Sequence, residues 1–256
     1  MTANRFAAAL LCFAPASPTT TYAGLVTWEL EGQVAEVVGS WISFDTGPRV
    51  DEMLRQLEAV GIDEGVMWRA RMTFDAEAPA VPTDYGVSEF EDAETRIEFF
   101  AGNYSAATPV GAAGTAWAGT ESALPCCRSL LTFSAQMAAD SSSLPADSAH
   151  LQFRSEDPNL ALPSSLPSEP PDPSDFSYPG GVFNPYNPSA RWAVLSIGGR
   201  GFVPDGDLSN PSIVEQQFWI NGHITTITRV PEPAAVALTL VAAAAIAIRP
   251  RSRALP

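Results

Sequence analysis

Along much of the chain, apolar and polar residues alternate one for one. Val26, Trp28 and Leu30 alternate with Thr27, Glu29 and Glu31, and the pattern continues through 25–38. A period of two sends one set of side chains to each face, so this stretch reads as a half-buried strand. Gly32 marks a bulge in it, and 41–44 continues extended. The cleanest strand is 66–74. There Val66, Trp68, Ala70, Met72 and Phe74 face one way, and Met67, Arg69, Arg71 and Thr73 the other. Further strands read at 95–100, at 130–137 with Leu131, Phe133, Ala135 and Met137 inward, and at 150–153. A short one opens at Tyr104. Residues 192–197 are apolar throughout and suit a central strand. Residues 214–229 are extended; Asn221-Gly222 either turns a hairpin or bulges a single bent strand, the preferred reading.

The period changes once. Over 49–60, Val50, Met53, Leu54, Leu57 and Val60 fall on one helical face. Pro48 suits the first turn, Asp51 and Glu52 its positive end, and Gly61 its close. This helix is expected to cover an edge or end of a sheet. Three segments read as loop. Residues 75–87 are acidic and proline-bearing, and 106–124 are rich in Gly, Ala and Thr and weakly structured. Residues 155–190 hold nine prolines and are expected to run over the surface, as a functional or a poorly ordered loop.

Seven or eight short strands with one helix predict an all-β fold, an antiparallel β-sandwich, with a jelly roll as the other topology. Trp28, Trp68 and Trp192 belong to its core. Trp117 and Tyr178, in loops, are the aromatics expected at the surface.

The two ends depart from this pattern. Residues 1–23 read as a secretory signal peptide: Arg5, an apolar core over 6–14, a helix-breaking stretch, and Thr21-Tyr22-Ala23 as a cleavage site before Gly24. The core is too short to span a bilayer. At the other end Val230-Pro231-Glu232-Pro233 precedes an uncharged run, 234–248, and then Arg249, Arg251 and Arg253. As a hydrophobic helix the run is roughly 22 Å long, against about 30 Å of hydrocarbon core. It is half alanine, a weak and short span. The arginines extend its reach and hold that end cytoplasmic. The prolines cannot continue a helix, so the step before the run is extended and open to a protease.

These three parts, in this order, resemble the PEP-CTERM sorting signal of exported Gram-negative bacterial proteins. The resemblance covers 27 of 256 residues, and Gly222-His223-Ile224-Thr225 before it is also similar. It departs in its Ala-rich run and in Pro250 among the arginines. It implies that an exosortase-type membrane protease removes the tail. The chain would be anchored transiently in the inner membrane, then passed to the cell surface or extracellular matrix. The resulting organisation is a signal peptide at 1–23, one domain at 24–229 and a sorting signal at 230–256.

Charge narrows the partners. The chain has no lysine. Over 24–228, nine arginines face 28 carboxylates, a net charge of −19. That excludes nucleic acid, which needs a cationic surface. Absence of lysine excludes a P-loop or a Schiff base. His150 and His223 sit in no metal-binding spacing, no Gly-x-Ser-x-Gly is present, and nothing implies a cofactor. Cys12 falls in the signal. Cys126 and Cys127 are adjacent and staple nothing distant. Asp205, Asp207 and Asn210 place oxygens at alternate positions, a weak calcium candidate without the downstream Glu of an EF-hand. The expected function is a non-enzymatic exported surface or matrix protein. The alternatives are a carbohydrate-binding module of the exopolysaccharide matrix and, behind it, a secreted hydrolase with two carboxyls across a cleft.

Overall fold

The structure is a computed structural model. It describes residues 24–41, 50–83, 86–112, 114–121, 128–139, 144–155, 157, 162–176, 191–204 and 213–231. The segment expected as a signal peptide, with Ala23, the cysteines, Tyr178, Asp205, Asp207, Asn210, Glu232, Pro233, the apolar run expected as a tail helix and the terminal arginines lie outside the described residues.

Eleven antiparallel strands form one sheet. They are β1 Leu25–Trp41, β2 Met67–Asp75, β3 Val81–Pro82, β4 Val87–Ala101, β5 Tyr104–Ala107, β6 Gly114–Glu121, β7 Arg128–Gln136, β8 Ala138–Ala139, β9 Ala146–Ser155, β10 Arg191–Pro204 and β11 Ile213–Val230. Eight of them (β1, β2, β4, β6, β7, β9, β10 and β11) follow one another around a ring. The ring closes because β1 pairs with both β2 and β11, while β2 also pairs with β4. The fold is therefore an up-and-down β-barrel. The expected sandwich, and the jelly roll with it, is overturned. Alternation along a strand says which face is buried; it does not say whether the buried faces meet as two sheets or as one closed wall.

The interior is filled by side chains. Trp28 is edge-on to Phe74, Phe133 and Phe153, at centroid distances of 4.9, 5.5 and 6.4 Å, and Phe74 lies 4.6 Å from Phe133. Nearer the other end Trp68, Phe99 and Tyr104 form a second group. Opposite this bulk, β6 contributes only Gly114, Ala116 and Ala118, all buried. Small residues on one strand make room for large ones on others. The 106–124 stretch, expected to be weakly structured, thus supplies a wall strand.

Two bulges keep the longest pair in phase. Between Glu31 and Gly32 the register with β11 skips Thr225, and between Val34 and Glu36 it skips Ala35 on β1. Thr225 donates its hydroxyl hydrogen to the Glu31 carbonyl at 3.1 Å. The first bulge lets Ile224 and Ile227, three apart, both face inward. β11 is one bent strand. β4 bulges more widely: Glu91 to Glu94 intervene between pairs Phe90↔Ala116 and Thr95↔Gly114, with Glu91 and Asp92 exposed, Ala93 buried in the core and Glu94 at φ 48°.

Helix α1, Val50–Ala59, packs against β1, β10 and β11. It ends in a Schellman motif: Ile62 N–H donates to Leu57 O and Gly61 N–H to Glu58 O, both at 2.9 Å. Gly61 takes the required left-handed φ of 82°. Leu57 and Ile62 are both buried in the core. At the opposite end, residues 162–176 lie across the barrel mouth. Leu162, Leu166 and Phe176 are buried, Phe176 meets Phe153 at 5.5 Å, and Trp28 Nε1 donates to the Ser168 carbonyl at 3.4 Å. Arg229 holds Glu169 at 2.6 Å. Most of the segment is partly or fully exposed, a loop over the surface as expected, with three apolar side chains turned inward. Its prolines keep it out of the sheet, and its Leu and Phe side chains seal the core.

Candidate functional site

Because the inside is full and both ends are covered, candidate chemistry lies on the outer wall. That wall is polar. Glu29 pairs with Arg71 at 3.0 Å and Glu31 with Arg69 at 3.1 Å, across directly opposed positions of β1 and β2. Hydrocarbon inside and charge outside is the reverse of a barrel that spans a membrane. No helix among the described residues is long and apolar enough to cross one.

One row of the wall concentrates hydrogen-bonding groups. Ser134, His150, Ser196 and Asn221 stand directly opposite one another on β7, β9, β10 and β11, and Glu36 follows on β1. Ser134 Oγ and His150 Nδ1 are 2.7 Å apart. Ser196 Oγ donates to Asn221 Oδ1 at 2.8 Å, and Asn221 Nδ2 donates to Glu36 Oε2 at 3.4 Å. Burial lowers the His150 pKa, so the imidazole is neutral in the fold. A Ser–His pair invites comparison with a nucleophile and its base. Here both residues are mid-strand, where neighbouring strands take up the backbone N–H groups. No oxyanion hole can form from them.

The next row carries an aromatic shelf. Trp219 on β11 stands opposite Gly198 on β10, and Gly198 opposite Ser148 on β9. The indole lies against the glycine so closely that a Cβ there would come within 2.5 Å of Cζ3. The His150 ring flanks it, centroids 6.0 Å apart. Beside the ring is a concavity of about 240 Å³, with Ser148, Gln217, Arg200 and Asp147 on its lining. Arg200 and Asp147 form an ion pair at 2.6 Å.

The residues singled out in sequence are scattered by comparison. Trp28 and Trp68 are interior. Trp192 is also buried, but on the outer side, with the Arg154 guanidinium 4.9 Å above its ring. Trp117 is partly exposed on β6, far around the ring from Trp219 in strand order. Trp219 was not among the expected surface aromatics; it lies between the inward-facing Phe218 and Ile220, so the alternation of β11 turns it outward, over Gly198. His223 lies on β11 opposite Gln33 and Val194. Gly24 is buried at the start of the wall, its carbonyl accepting from Ala76 N–H at 2.8 Å. Val230 closes β11 against Thr27, and Pro231 is exposed just beyond it. Among the described residues no group of three or more His, Cys, Asp or Glu is placed to hold a metal. Comparison with protein-family models, with curated proteins and with solved structures gives no match for this chain.

Proposed function

We propose that the chain is an exported, non-enzymatic β-barrel protein that its C-terminal tail routes to the cell surface or extracellular matrix. The supporting observation is where the barrel stops. Its last pair is Thr27↔Val230, and the motif Val230-Pro231-Glu232-Pro233 begins on that pair, with Pro231 exposed at the rim. Removing everything after it takes no strand from the wall and no described side chain from the core. A protease cutting there would release a complete barrel. An exosortase-type enzyme is the partner that the motif implies, and the inner membrane holds the tail until the cut.

The test is processing in a Gram-negative host that carries an exosortase. Pulse-chase of the full chain should show loss of the tail and release from the membrane. Replacing Pro231, Glu232 and Pro233 with alanine should leave the precursor membrane-bound. Unchanged processing and location in that variant would sink the reading.

A further inference from the structure

We propose that the shelf formed by Trp219, Gly198, Ser148 and Gln217 on the outer wall binds neutral polysaccharide, one sugar ring stacking on the indole. The proposal rests on the matrix reading above and adds what the sorted barrel would hold there. Four observations carry it. The first is the pairing of Trp219 with Gly198. A side chain at 198 would overlap the indole; its absence lets the ring lie flat on the wall, partly exposed. A flat ring with an electron-rich face suits the C–H face of a pyranose. The second is the hydrogen-bonding rim. Ser148, Gln217, and the Arg200–Asp147 pair border one concavity beside the ring. A few placed polar groups beside an apolar surface are what orient a small polar ligand. The third is size. About 240 Å³, open to solvent, takes a short piece of a longer chain rather than an enclosed small molecule.

The fourth observation selects among glycans. The 24–228 region carries −19, and the shelf's guanidinium already faces Asp147. A uronate or sulfated polymer would meet repulsion with no excess positive charge to offset it. A neutral glycan meets none. His150 flanks Trp219 and is itself tied to Ser134, so it buttresses the ring.

The experiment uses the full chain in mild detergent, run by affinity electrophoresis through gels containing dextran, laminarin, galactomannan or alginate. Retardation by at least one neutral polymer, and less by alginate, is expected. Trp219→Ala should abolish it, Trp219→Phe should retain part of it, and Trp117→Ala should leave it intact. Should Trp219→Ala misfold, acrylamide quenching of wild-type tryptophan fluorescence provides a second reading. Bound neutral glycan should reduce the quenching. No retardation by any neutral polymer, equal retardation of Trp219→Ala, or a preference for alginate would overturn the proposal. Tail processing is scored separately, so a barrel that is sorted but binds no glycan fails only this inference.

Discussion

The indole of Trp68 on β2 reaches past β1 and rests on Gly222 of β11, two strands along the wall. A Cβ built on Gly222 would lie 2.3 Å from Trp68 Nε1, and one on Gly32 would lie 1.9 Å from the His223 carbonyl oxygen and 2.5 Å from Trp68 Cζ2. The two glycines stand on adjacent strands, and each yields its side-chain space to one ring. Gly222→Ala or Gly32→Ala should therefore cost about 1–3 kcal/mol through overpacking, measured as the shift in urea midpoint. Trp68 Nε1 has no hydrogen-bond partner among the described residues. Trp68→Phe should accordingly cost much less than Trp68→Ala.

The aromatic group at the other end should behave as one unit. Phe133 is fully buried and touches both Trp28 and Phe74. Phe133→Ala should cost about 3–5 kcal/mol. Combined with Phe74→Ala, the loss should differ from the sum of the single losses by about 0.5–3 kcal/mol, because the two share one cavity. Additive losses in a double-mutant cycle would contradict the shared packing.

At the helix end, Gly61→Ala should cost about 1–2 kcal/mol, the penalty for a left-handed residue with a Cβ. The same change at Gly111, which also has a positive φ of 84° but open space around it, isolates the backbone part. Equal losses at both sites would mean that the close approach of Gly61 to Gly102 adds nothing.

The proline-rich cap should open independently of the wall. Leu166 and Phe176 hold it by burial, and Arg229–Glu169 is a partly exposed ion pair. Phe176→Ala should raise hydrogen exchange across 162–176 and lower global stability. Glu169→Gln should change stability by less than about 1 kcal/mol, as exposed pairs do. A large global effect of Glu169→Gln would show that the pair matters more than the apolar contacts.

Acid should weaken the fold partly through His150. Its pKa is lowered from 6.5 by burial. Below about 6.5 the unfolded chain takes up a proton that the folded chain refuses. Stability is therefore full above that pH and falls as pH drops through the window between the unfolded and folded values. His150→Gln should flatten that part of the pH–stability curve relative to wild type. Parallel curves for the two proteins would exclude the group.

Much of the wall was legible in sequence because it is local. The period of two identifies β2 to within a residue, the bent β11 follows from Phe218, Ile220, Ile224 and Ile227, and α1 follows from its stripe and Gly61. What was not legible is relational. The inward positions of β6 are Gly114, Ala116 and Ala118, small residues of weak strand preference, and only the bulk of Phe133 opposite Ala116 makes their smallness useful. The first half of β4 is interrupted by the acidic bulge at 91–94, which breaks the alternation. Closure depends on β2–β4 and β1–β11, pairs between distant stretches whose alternation is the same in a sandwich. The site was hidden for a related reason: alternation with Phe218 and Ile220 turns Trp219 outward, but the glycine beneath it, Gly198, comes only from the pairing of β10 with β11.

The seam between β1 and β11 has a kinetic meaning. The two strands that close the ring lie at opposite ends of the described chain, and β11 also supplies the partner for β10. Loop closure over so long a separation is slow. A chain being synthesised lacks its seam until the last strand is free, so the ring closes only once β11 is complete. Once that strand is free, Val230 docks beside Thr27, and residues from the two ends of the described chain meet in one pair.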